Sequence, residues 1–519
     1  MKKNINKIII VGGGTAGWLS AGIIAAEHYS AHNDFELYLI ESPDIPTIGV
    51  GEGTWPSMRS TLKKIGISET DFFRECSASF KQGTQFYNWS YGKGETYSHP
   101  FTAPHHFNEK NLAPHWQSIR EETPFADAVC PQMPLINNQL APKDITTPEY
   151  AFNVNYGYHL DAGKFAELLR KHCVTHLGVK HIRANLTAIN STEEGDIQSI
   201  VTDSNGTIEG DLFIDCSGTR SLLIGEHFRI PSISKKKYLF NDSALAAQIS
   251  YQTADDPIQS CTLSTAQSAG WIWDIGLPTR RGIGHVYSSQ YNNDENARAE
   301  LLAYIKDTAG EKAAENASIR KITFDPGHRE KFWHKNCVAI GMSAGFIEPL
   351  EASALVLVEL SAAMVAEQLP ANRKVMDIVA KRFNEKFSYR WSRIIDFIKL
   401  HYILSKRTDT DYWIDNCRAD SIPDSLQELI DIWHYQVPWH RDNYHIDEMF
   451  PSASFQYVLY GMNFMTEMNP TAKRTDREAG MQARAMFLEN AKYAQRLASS
   501  MPTNRELINK IYKFGLQKI

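Results

Sequence analysis

The chain has 519 residues, a net charge of −6 and 43% hydrophobic residues, so it can bury a large core and lacks the positive charge that nucleic-acid binding needs. Its seven cysteines are odd in number and include no Cys-x-x-Cys pair. This pattern argues against a disulfide framework and a zinc site and favours a reducing, cytoplasmic setting; no metal site is predicted.

No segment is expected to enter a membrane. A membrane-spanning helix needs about 18 or more consecutive apolar residues, and the longest candidate, residues 352–366, is interrupted by Glu359. The N-terminal lysines and apolar run look like a signal peptide, but three consecutive glycines from Gly12 would break its helical core.

The first 41 residues follow the order strand, glycine-rich turn, helix, strand and acid. The apolar run 8–11 leads into the turn 12–17, a small-residue helix is expected from residue 18 to about residue 29, and the apolar run 35–40 ends at Glu41. A lone Gly-x-Gly-x-x-Gly motif is weak evidence of a nucleotide site, but here the strand, the helix, the second strand and the acid all follow at the expected spacing. The order predicts a dinucleotide-binding βαβ unit.

Each part of this unit has a physical task. Gly12 permits the tight turn, Gly14 lets a pyrophosphate approach bare backbone, and Gly17 lets the helix pack closely on the strand. The helix N-terminus offers unpaired N–H groups to phosphates, and an acid about 20 residues further on accepts hydrogen bonds from a ribose. The predicted nucleotide-binding residues are therefore Gly12, Gly14, Thr15, Ala16, Gly17 and Glu41.

Two later segments are expected to return to the same nucleotide. One apolar strand ends at Asp215 and turns at Ser217 and Gly218, and another leads to Gly341 and Gly345, which are expected to open a helix. Either segment alone is a common strand and turn. Three such segments in this order predict FAD rather than NAD.

The pattern along the chain predicts an α/β fold: an FAD-binding Rossmann-type body (two-dinucleotide, aromatic-hydroxylase-like) with a mostly helical C-terminal region. Strands and helices alternate to about residue 350, with loops at 96–114 and 131–148, the second of which looks irregular. Helical spacing of apolar residues then dominates at 375–404, 424–433 and 475–498. We expect one compact unit, divided into a catalytic body, residues 1–370, and a helical region, residues 371–519, that covers the substrate site.

Six motifs are spread over nearly the whole chain. They are Gly12-Gly-Gly-Thr-Ala-Gly-Trp18, Ile45-Pro-Thr-Ile-Gly-Val-Gly-Glu-Gly-Thr54, Ala78-Ser-Phe-Lys81, Trp271-Ile-Trp-Asp-Ile275, Phe346-Ile-Glu-Pro-Leu-Glu-Ala-Ser353 and Asp396-Phe-Ile-Lys-Leu-His-Tyr402. Together they resemble the flavin-dependent halogenases of the tryptophan halogenase type. The third, fourth and fifth motifs are specific in combination, although none of them is specific alone.

The resemblance implies FADH2- and O2-dependent halogenation of an electron-rich, indole-like aromatic. A flavin hydroperoxide would oxidise chloride or bromide to hypohalous acid, which would cross a tunnel to the catalytic lysine. A separate flavin reductase would supply FADH2, because no NAD(P)H site is evident. The partners are thus a reductase and a small aromatic substrate, with no nucleic acid and no membrane; a homodimer is one candidate assembly.

The resemblance also assigns the remaining site residues. Lys81 would hold the oxidant by a hydrogen bond or as a haloamine, the second form made accessible by desolvation, which lowers the pKa of a lysine from about 10.4. Glu351 would orient Lys81 and take the proton that the ring loses. The halide would bind the backbone N–H groups of Ser353 and Ala354 at a helix N-terminus. The FAD contacts outside the βαβ unit would be Val50, Gly51, Ser217, Gly218 and Gly341.

Without the resemblance these residues have simpler interpretations. Lys81 would be a solvated surface lysine, and Glu351 a residue that complements a helix dipole. Trp271 and Trp273 alternate on a predicted strand, so their default role is core packing.

The sequence departs from the family pattern near the halide site and in the substrate pocket. The usual Ser-Thr-Gly after the glutamate is replaced by residues 352–354, Ala-Ser-Ala, and Gly276 stands where a proline is usual. If the family's glycine has a positive φ, Ala354 would be strained.

The predicted substrate-binding residues are His99, Phe101 and Phe450. His99 and Phe101 match an indole-lining pair, but the usual Phe-Trp pair appears as Met449 and Phe450. No convincing partners for an amino-acid ammonium and carboxylate are evident. The expected substrate is therefore an indole, a phenol or another electron-rich aromatic rather than free tryptophan.

Two other functions remain open at this point. A flavin monooxygenase would hydroxylate an aromatic with the same oxidant, but the Trp-x-Trp segment and Lys81 argue against it. An FAD-binding protein without turnover would have no reason to retain both Lys81 and Glu351.

Overall fold

The apolar run near the N-terminus lies at the centre of a six-stranded, largely parallel sheet. The computed structural model describes residues 4–32, 34–45, 51–442, 445–467 and 477–518. Ile8, Ile9 and Ile10 are fully buried, because a parallel sheet is covered on both faces. The strand order is Trp333–His334, Cys337–Ala339, Leu212–Asp215, Lys7–Val11, Glu36–Glu41 and Lys180–Arg183, and only the first pair is antiparallel.

The chain divides into two units, each made from three segments. The first unit comprises residues 1–78, 160–235 and 325–391, and the second comprises 79–159, 236–324 and 392–519. The units therefore interleave along the chain, whereas the sequence predicts one boundary at residue 370. The reason is that strands distant in sequence share one sheet, as Lys7–Val11 and Leu212–Asp215 do.

In the first unit, helices cover the six-stranded sheet, and the remaining short strands belong to smaller sheets. The first helix is rich in small residues, and its Gly22 packs on Ile65 and Cys173. The helices are Thr15–His28, Ser57–Ile65, Glu69–Cys76, Ala162–His176 and Ser353–Glu367, with a π-helix at Leu222–His227 and 3-10 turns at Gly218–Arg220, Gly341–Ser343 and Leu350–Ala352. The other strands are Gly51–Gly53, Leu186–Ser191, Ile197–Thr202, Gly206–Glu209, Ser232–Ser234, Gly327–Arg329 and Gly345–Phe346.

The second unit contains a seven-stranded sheet. Its strand order is Ile319–Thr323, Ser243–Ser250, Arg280–Tyr287, Gly270–Gly276, Thr262–Ala266, Gly83–Tyr87 and Thr96–Pro100. One face packs on the helix Asp294–Ala309 through a core that includes Leu245, Ile283 and Leu301. A separate short pair joins Ser79–Lys81 to residues 157–159 of the strand Gly157–Asp161.

The helical C-terminal region predicted from the sequence is confirmed. The three predicted helices are observed as Arg373–Ile403, Asp424–Trp433 and Arg477–Ser500. The first of them begins in the first unit and passes into the second after Trp391. The other helices of the second unit are Ala113–Trp116, Phe125–Val129, Met133–Asn137, Glu311–Glu315, Asp411–Asn416, Ser452–Gly461 and Asn504–Phe514, with 3-10 turns at Ala419–Ser421 and His440–Asp442. The α/β fold class is thereby confirmed.

Two details of the sequence prediction are wrong. The loop predicted at 96–114 begins with a strand, Thr96–Pro100, because these residues pair with Gly83–Tyr87. The loop predicted at 131–148 contains the short helix Met133–Asn137. None of the helices in the described ranges combines the length and apolar content that a membrane crossing needs.

Candidate active site

A cavity of about 320 Å³ opens in the first unit at the carboxyl ends of the parallel strands. Ligands of doubly wound α/β sheets bind at this edge. The predicted residues that line it are Gly12, Gly14, Thr15, Ala16, Glu41, Ser217, Gly218, Gly341, Ser353 and Ala354. Gly17 and Gly51 are not among the described lining residues, and Val50 lies outside the described residues.

The three motif glycines have three different surroundings. Gly12 has a φ of +120°, and a side chain there would overlap the carbonyl oxygen of Cys216. A side chain at Gly17 would overlap the carbonyl oxygen of Gly12, so Gly17 serves the packing of helix on strand. A Cβ at Gly14 would meet no atom within 4 Å. Gly14 thus leaves bare backbone facing open space at the start of the first helix.

Glu41 is held at the rim of this cavity by its neighbours. Its Oε2 lies 2.7 Å from Nε2 of His181, and the ring of His181 packs edge-on against Trp18 at 4.9 Å between centroids. A side chain at Gly13 would overlap that of Glu41. The carboxylate is therefore placed where a ribose hydroxyl could donate to it.

The carboxylate of Asp215 stabilises the turn that follows its strand. It accepts hydrogen bonds from the backbone N–H groups of Ser217, Leu223 and Ile224. Gly218 adopts a φ of +72° and has no atom within 4 Å of a Cβ position. Asp215 fixes the turn, and the turn presents Gly218 to the cavity.

The segment around Gly341 differs from the prediction. Gly341 has a φ of +77° and opens a 3-10 turn, Gly341–Ser343, where a side chain would crowd Ala16 at 2.6 Å. Gly345 does not open a helix: it pairs with His328 in a short strand, and a side chain there would crowd the carbonyl of Gly327. The helix of this region begins only at Ser353.

The predicted halide site lies at the start of the helix Ser353–Glu367. The first N–H groups of a helix have no intrahelical partner and attract anions, and Ser353, Ala354 and Leu355 line the cavity. Ala354 lies inside the helix without a positive φ. The strain expected at Ala354 is therefore absent from that residue.

The strain falls instead on the two residues before the helix. Glu351 and Ala352 have φ angles of 65° and 55°, and the left-handed region is costly for residues with a Cβ. The carbonyl of Glu351 accepts a 2.7 Å hydrogen bond from Nε1 of Trp55, and the N–H of Ala352 donates to Pro349 at 2.9 Å. Such strain persists where the surroundings enforce it, commonly at functional sites.

Two acids that line the cavity were missed by sequence reasoning. Glu52 and Glu348 both lie on its wall, and desolvation raises the pKa of Glu52 to about 7. Each lies inside a motif that carried the family resemblance. The motifs therefore contained both acids, but the resemblance gave neither of them a role.

Lys81 is buried in the second unit, with 1% of its surface exposed. Its Nζ lies 5.2 Å from the ring centroid of Phe101. Burial lowers the pKa of the neighbouring His159 well below its usual range, and the charge of Lys81 lowers it further. His159 Nε2 lies 2.8 Å from Oγ1 of Thr262. Lys81 is therefore not a solvated surface lysine.

The structure brings together only part of the predicted substrate pocket. Phe101 lies beside Lys81, whereas His99 packs on Phe397 at 5.6 Å between centroids. Phe450 stacks on Phe397 at 3.7 Å with an interplanar angle of 12°. Sequence reasoning missed Phe397, which joins His99 to Phe450, although it lies in the last of the six motifs.

The two motif tryptophans lie on one face of the strand Gly270–Gly276. Trp271 is 1% exposed, and its ring centroid lies 6.4 Å from those of Trp89 and Trp273. A side chain at Gly284 would overlap the ring of Trp273. Core packing thus accounts for the position of Trp271, whereas Trp273 is half-buried and packs over Gly284.

The comparisons with known proteins agree with this arrangement. The family model for tryptophan halogenases matches residues 7–477. This chain belongs to the tryptophan halogenase family. It is an enzyme of the flavin-dependent halogenase class, as its named relatives are.

Relatives of this halogenase cover nearly its full length. A tryptophan halogenase from Shewanella frigidimarina NCIMB 400 is 50% identical, and its crystal structure covers 100% of both chains with a TM-score of 0.96. BrvH, a flavin-dependent halogenase from Brevundimonas sp. BAL3, is 31% identical, with a TM-score of 0.85 over 98% of this chain and 99% of its own. The tryptophan 7-halogenase RebH of Lentzea aerocolonigenes is 31% identical over 83% of this chain and 82% of its own.

Proposed function

We propose that this chain uses FADH2, O2 and chloride or bromide to halogenate a small, neutral, electron-rich aromatic such as an indole. The observation that carries the proposal is the burial of Lys81 beside the ring of Phe101. Fully buried lysines are rare in proteins. In a member of a halogenase family, the role we propose for this one is to hold an electrophilic halogen.

The cavity of the first unit has the features that FAD needs. Its pyrophosphate would lie over Gly14, where the open space and the N–H groups of Thr15 and Ala16 favour phosphate. Glu41 would accept hydrogen bonds from the ribose, and Ser217, Gly218 and Gly341 would line the remainder. Bound reduced FAD would supply the electrons with which O2 becomes an oxidant of the halide.

Ser353 and Ala354 would hold the halide through their backbone N–H groups. Both belong to the first turn of the helix Ser353–Glu367 and line the same cavity. The positive end of the helix dipole stabilises an anion there. The side chain of Ala354 takes no part, so the replacement of the usual glycine leaves this function intact.

Lys81 would act on the hypohalous acid. Its ammonium can donate a hydrogen bond to the oxygen, which polarises the oxygen–halogen bond toward the aromatic ring. Alternatively, its neutral amine can attack the halogen, forming a nitrogen–halogen bond and releasing water as the amine proton joins hydroxide. For Glu351 we propose the role of the acid that takes the proton lost by the ring.

The substrate is proposed to carry no amino-acid zwitterion. Two of the relatives reported above have the name tryptophan halogenase, which supports an indole ring in the substrate. Phe101, beside Lys81, offers an aromatic neighbour to such a ring. A buried zwitterion without partners would cost several kcal/mol. Indole should therefore react faster than free tryptophan. A separate flavin reductase is proposed to supply FADH2.

The test supplies a flavin reductase, NADH, FAD, O2 and bromide with indole, a phenol and tryptophan, and identifies the products by mass spectrometry. A bromine isotope pair on indole, formed at least about 10-fold faster than on tryptophan, is expected. A mass gain of one oxygen would identify a monooxygenase instead. A single clean product from tryptophan at a less reactive ring position would show that an amino-acid clamp exists.

A further inference from the structure

Two adjacent histidines and a glutamate, none of them a predicted site residue, converge in the second unit. His105 and His106 lie in the loop after Phe101, and Glu489 lies on the helix Arg477–Ser500. One nitrogen of each histidine and one carboxylate oxygen of Glu489 all lie within 4.8 Å of one another. No sequence spacing signals this cluster, because Glu489 is more than 380 residues from the histidines.

His106 is oriented as a metal-binding histidine would be. Its Nδ1 lies 3.1 Å from Oε2 of Glu109, and its Nε2 lies 3.3 Å from Oε2 of Glu489. A carboxylate that accepts the Nδ1–H fixes the tautomer in which Nε2 has its lone pair available. Glu109 thus presents Nε2 of His106 toward Glu489.

His105 offers the second nitrogen. Its Nε2 is buried and, among the described residues, makes no hydrogen bond; it lies 3.7 Å from Oε1 of Glu489. Buried polar atoms are nearly always satisfied, so an unsatisfied one needs an explanation. An ion between His105, His106 and Glu489 would satisfy it.

We propose that His105, His106 and Glu489 bind a divalent transition-metal ion of the zinc type. Two imidazoles and a carboxylate suit zinc, nickel or copper rather than magnesium or calcium. Zinc–ligand distances are about 2.0–2.2 Å, so the donor atoms must close by roughly 1 Å, within reach of side-chain rotation. Water would complete the coordination, and the ion would tie the loop to the helix.

The experiment uses tag-free protein, treated with chelator and then freed of it. Titration calorimetry with zinc chloride should show one ion per chain with a dissociation constant in the micromolar range or below, and bound cobalt should show the visible spectrum of a nitrogen- and oxygen-ligated site. Excess zinc should raise the Tm by about 2 °C or more. His106→Ala should abolish binding, and Glu489→Gln should weaken it by about 10-fold or more.

His440→Ala is the matched control, because this exposed histidine packs on Phe107 of the same loop but is not one of the three ligands; it should bind zinc as the parent does. Circular dichroism in chelator checks that each variant is folded. Absence of binding to the parent, or unchanged binding by folded His106→Ala and Glu489→Gln, would overturn the proposal and leave only histidine–carboxylate hydrogen bonds.

Discussion

The two units hold their predicted functional residues in opposite ways. In the first unit the cavity is shaped largely by backbone: bare peptide at Gly14, a left-handed turn at Gly218 and a helix start at Ser353. In the second unit the predicted residues act through side chains: Lys81 is buried beside the half-buried Phe101, and Phe450 is stacked on another ring.

The two units should therefore be sensitive to different kinds of substitution. A binding site that is formed by backbone groups loses function when an added side chain fills its open space or changes its dihedral angles. A site that is formed by side chains loses function when one functional group is removed. Single substitutions can therefore distinguish the two kinds of site.

Gly14→Val should weaken FAD binding by about 100-fold, because overpacking against a rigid neighbour costs up to about 3 kcal/mol. The apo fold should be unaffected, since a Cβ at Gly14 meets no atom within 4 Å. The measurement is a fluorescence titration with FAD, beside a Tm without FAD. Gly480→Val, at another glycine with open space but on a helix of the second unit, is the control and should bind FAD normally. Equal FAD affinity in both variants would contradict the placement of the pyrophosphate.

Glu359→Gln should stabilise the protein at high pH. Burial raises the pKa of Glu359 to about 7, and its oxygens accept hydrogen bonds from Ser57 and Thr61. Because the folded pKa lies above the unfolded value of about 4.3, this group lowers stability as pH rises from about 4.3 to 7, and the loss is complete above pH 7.

The variant does not titrate, and its amide can accept a hydrogen bond from one hydroxyl and donate one to the other. Its gain in stability over the parent should therefore grow by on the order of 2 kcal/mol between pH 5 and pH 8. The Tm of both proteins across this range measures it. Glu367→Gln, exposed at the end of the same helix, should show no such growth. A gain that does not change with pH would refute the buried titration.

Ala352→Gly should stabilise the fold by about 1 kcal/mol, because Ala352 holds a left-handed φ that glycine adopts at no steric cost. The matched substitution Ala354→Gly, two residues later within the helix, should destabilise it by up to about 1 kcal/mol. Denaturant unfolding of the two variants checks the opposite signs. Destabilisation by both would mean that the turn before the helix is not strained.

The same contrast explains what the sequence could predict. Strand, turn and helix at 7–28 follow from local periodicity and from glycines whose neighbours lie nearby in sequence, so they were predictable to within a few residues. The helices Arg373–Ile403 and Asp424–Trp433 were predictable for the same reason. Gly345 was misjudged because its pairing with His328 is set by tertiary contact rather than by local pattern.

The substrate side was less predictable because its contacts join distant segments. Phe397 lies between His99 and Phe450 only because three separate parts of the chain meet there. The backbone strain was predicted at Ala354 but is observed at Glu351 and Ala352, because the helix begins at Ser353. Residue types alone do not fix such a helix boundary.

We expect oxidant formation to require the backbone cavity of the first unit and use of the oxidant to require the side chain of Lys81. The most direct measurement is a single-turnover reaction of FADH2-loaded Lys81→Met with O2, bromide and indole, following flavin oxidation by absorbance and bromoindole by mass spectrometry. Lys143→Met, at another fully buried lysine of the second unit, is the control for loss of a buried ammonium. Our account predicts flavin oxidation at the parental rate and no bromoindole from Lys81→Met, with bromoindole still formed by Lys143→Met. Bromoindole at the parental level from Lys81→Met would contradict it.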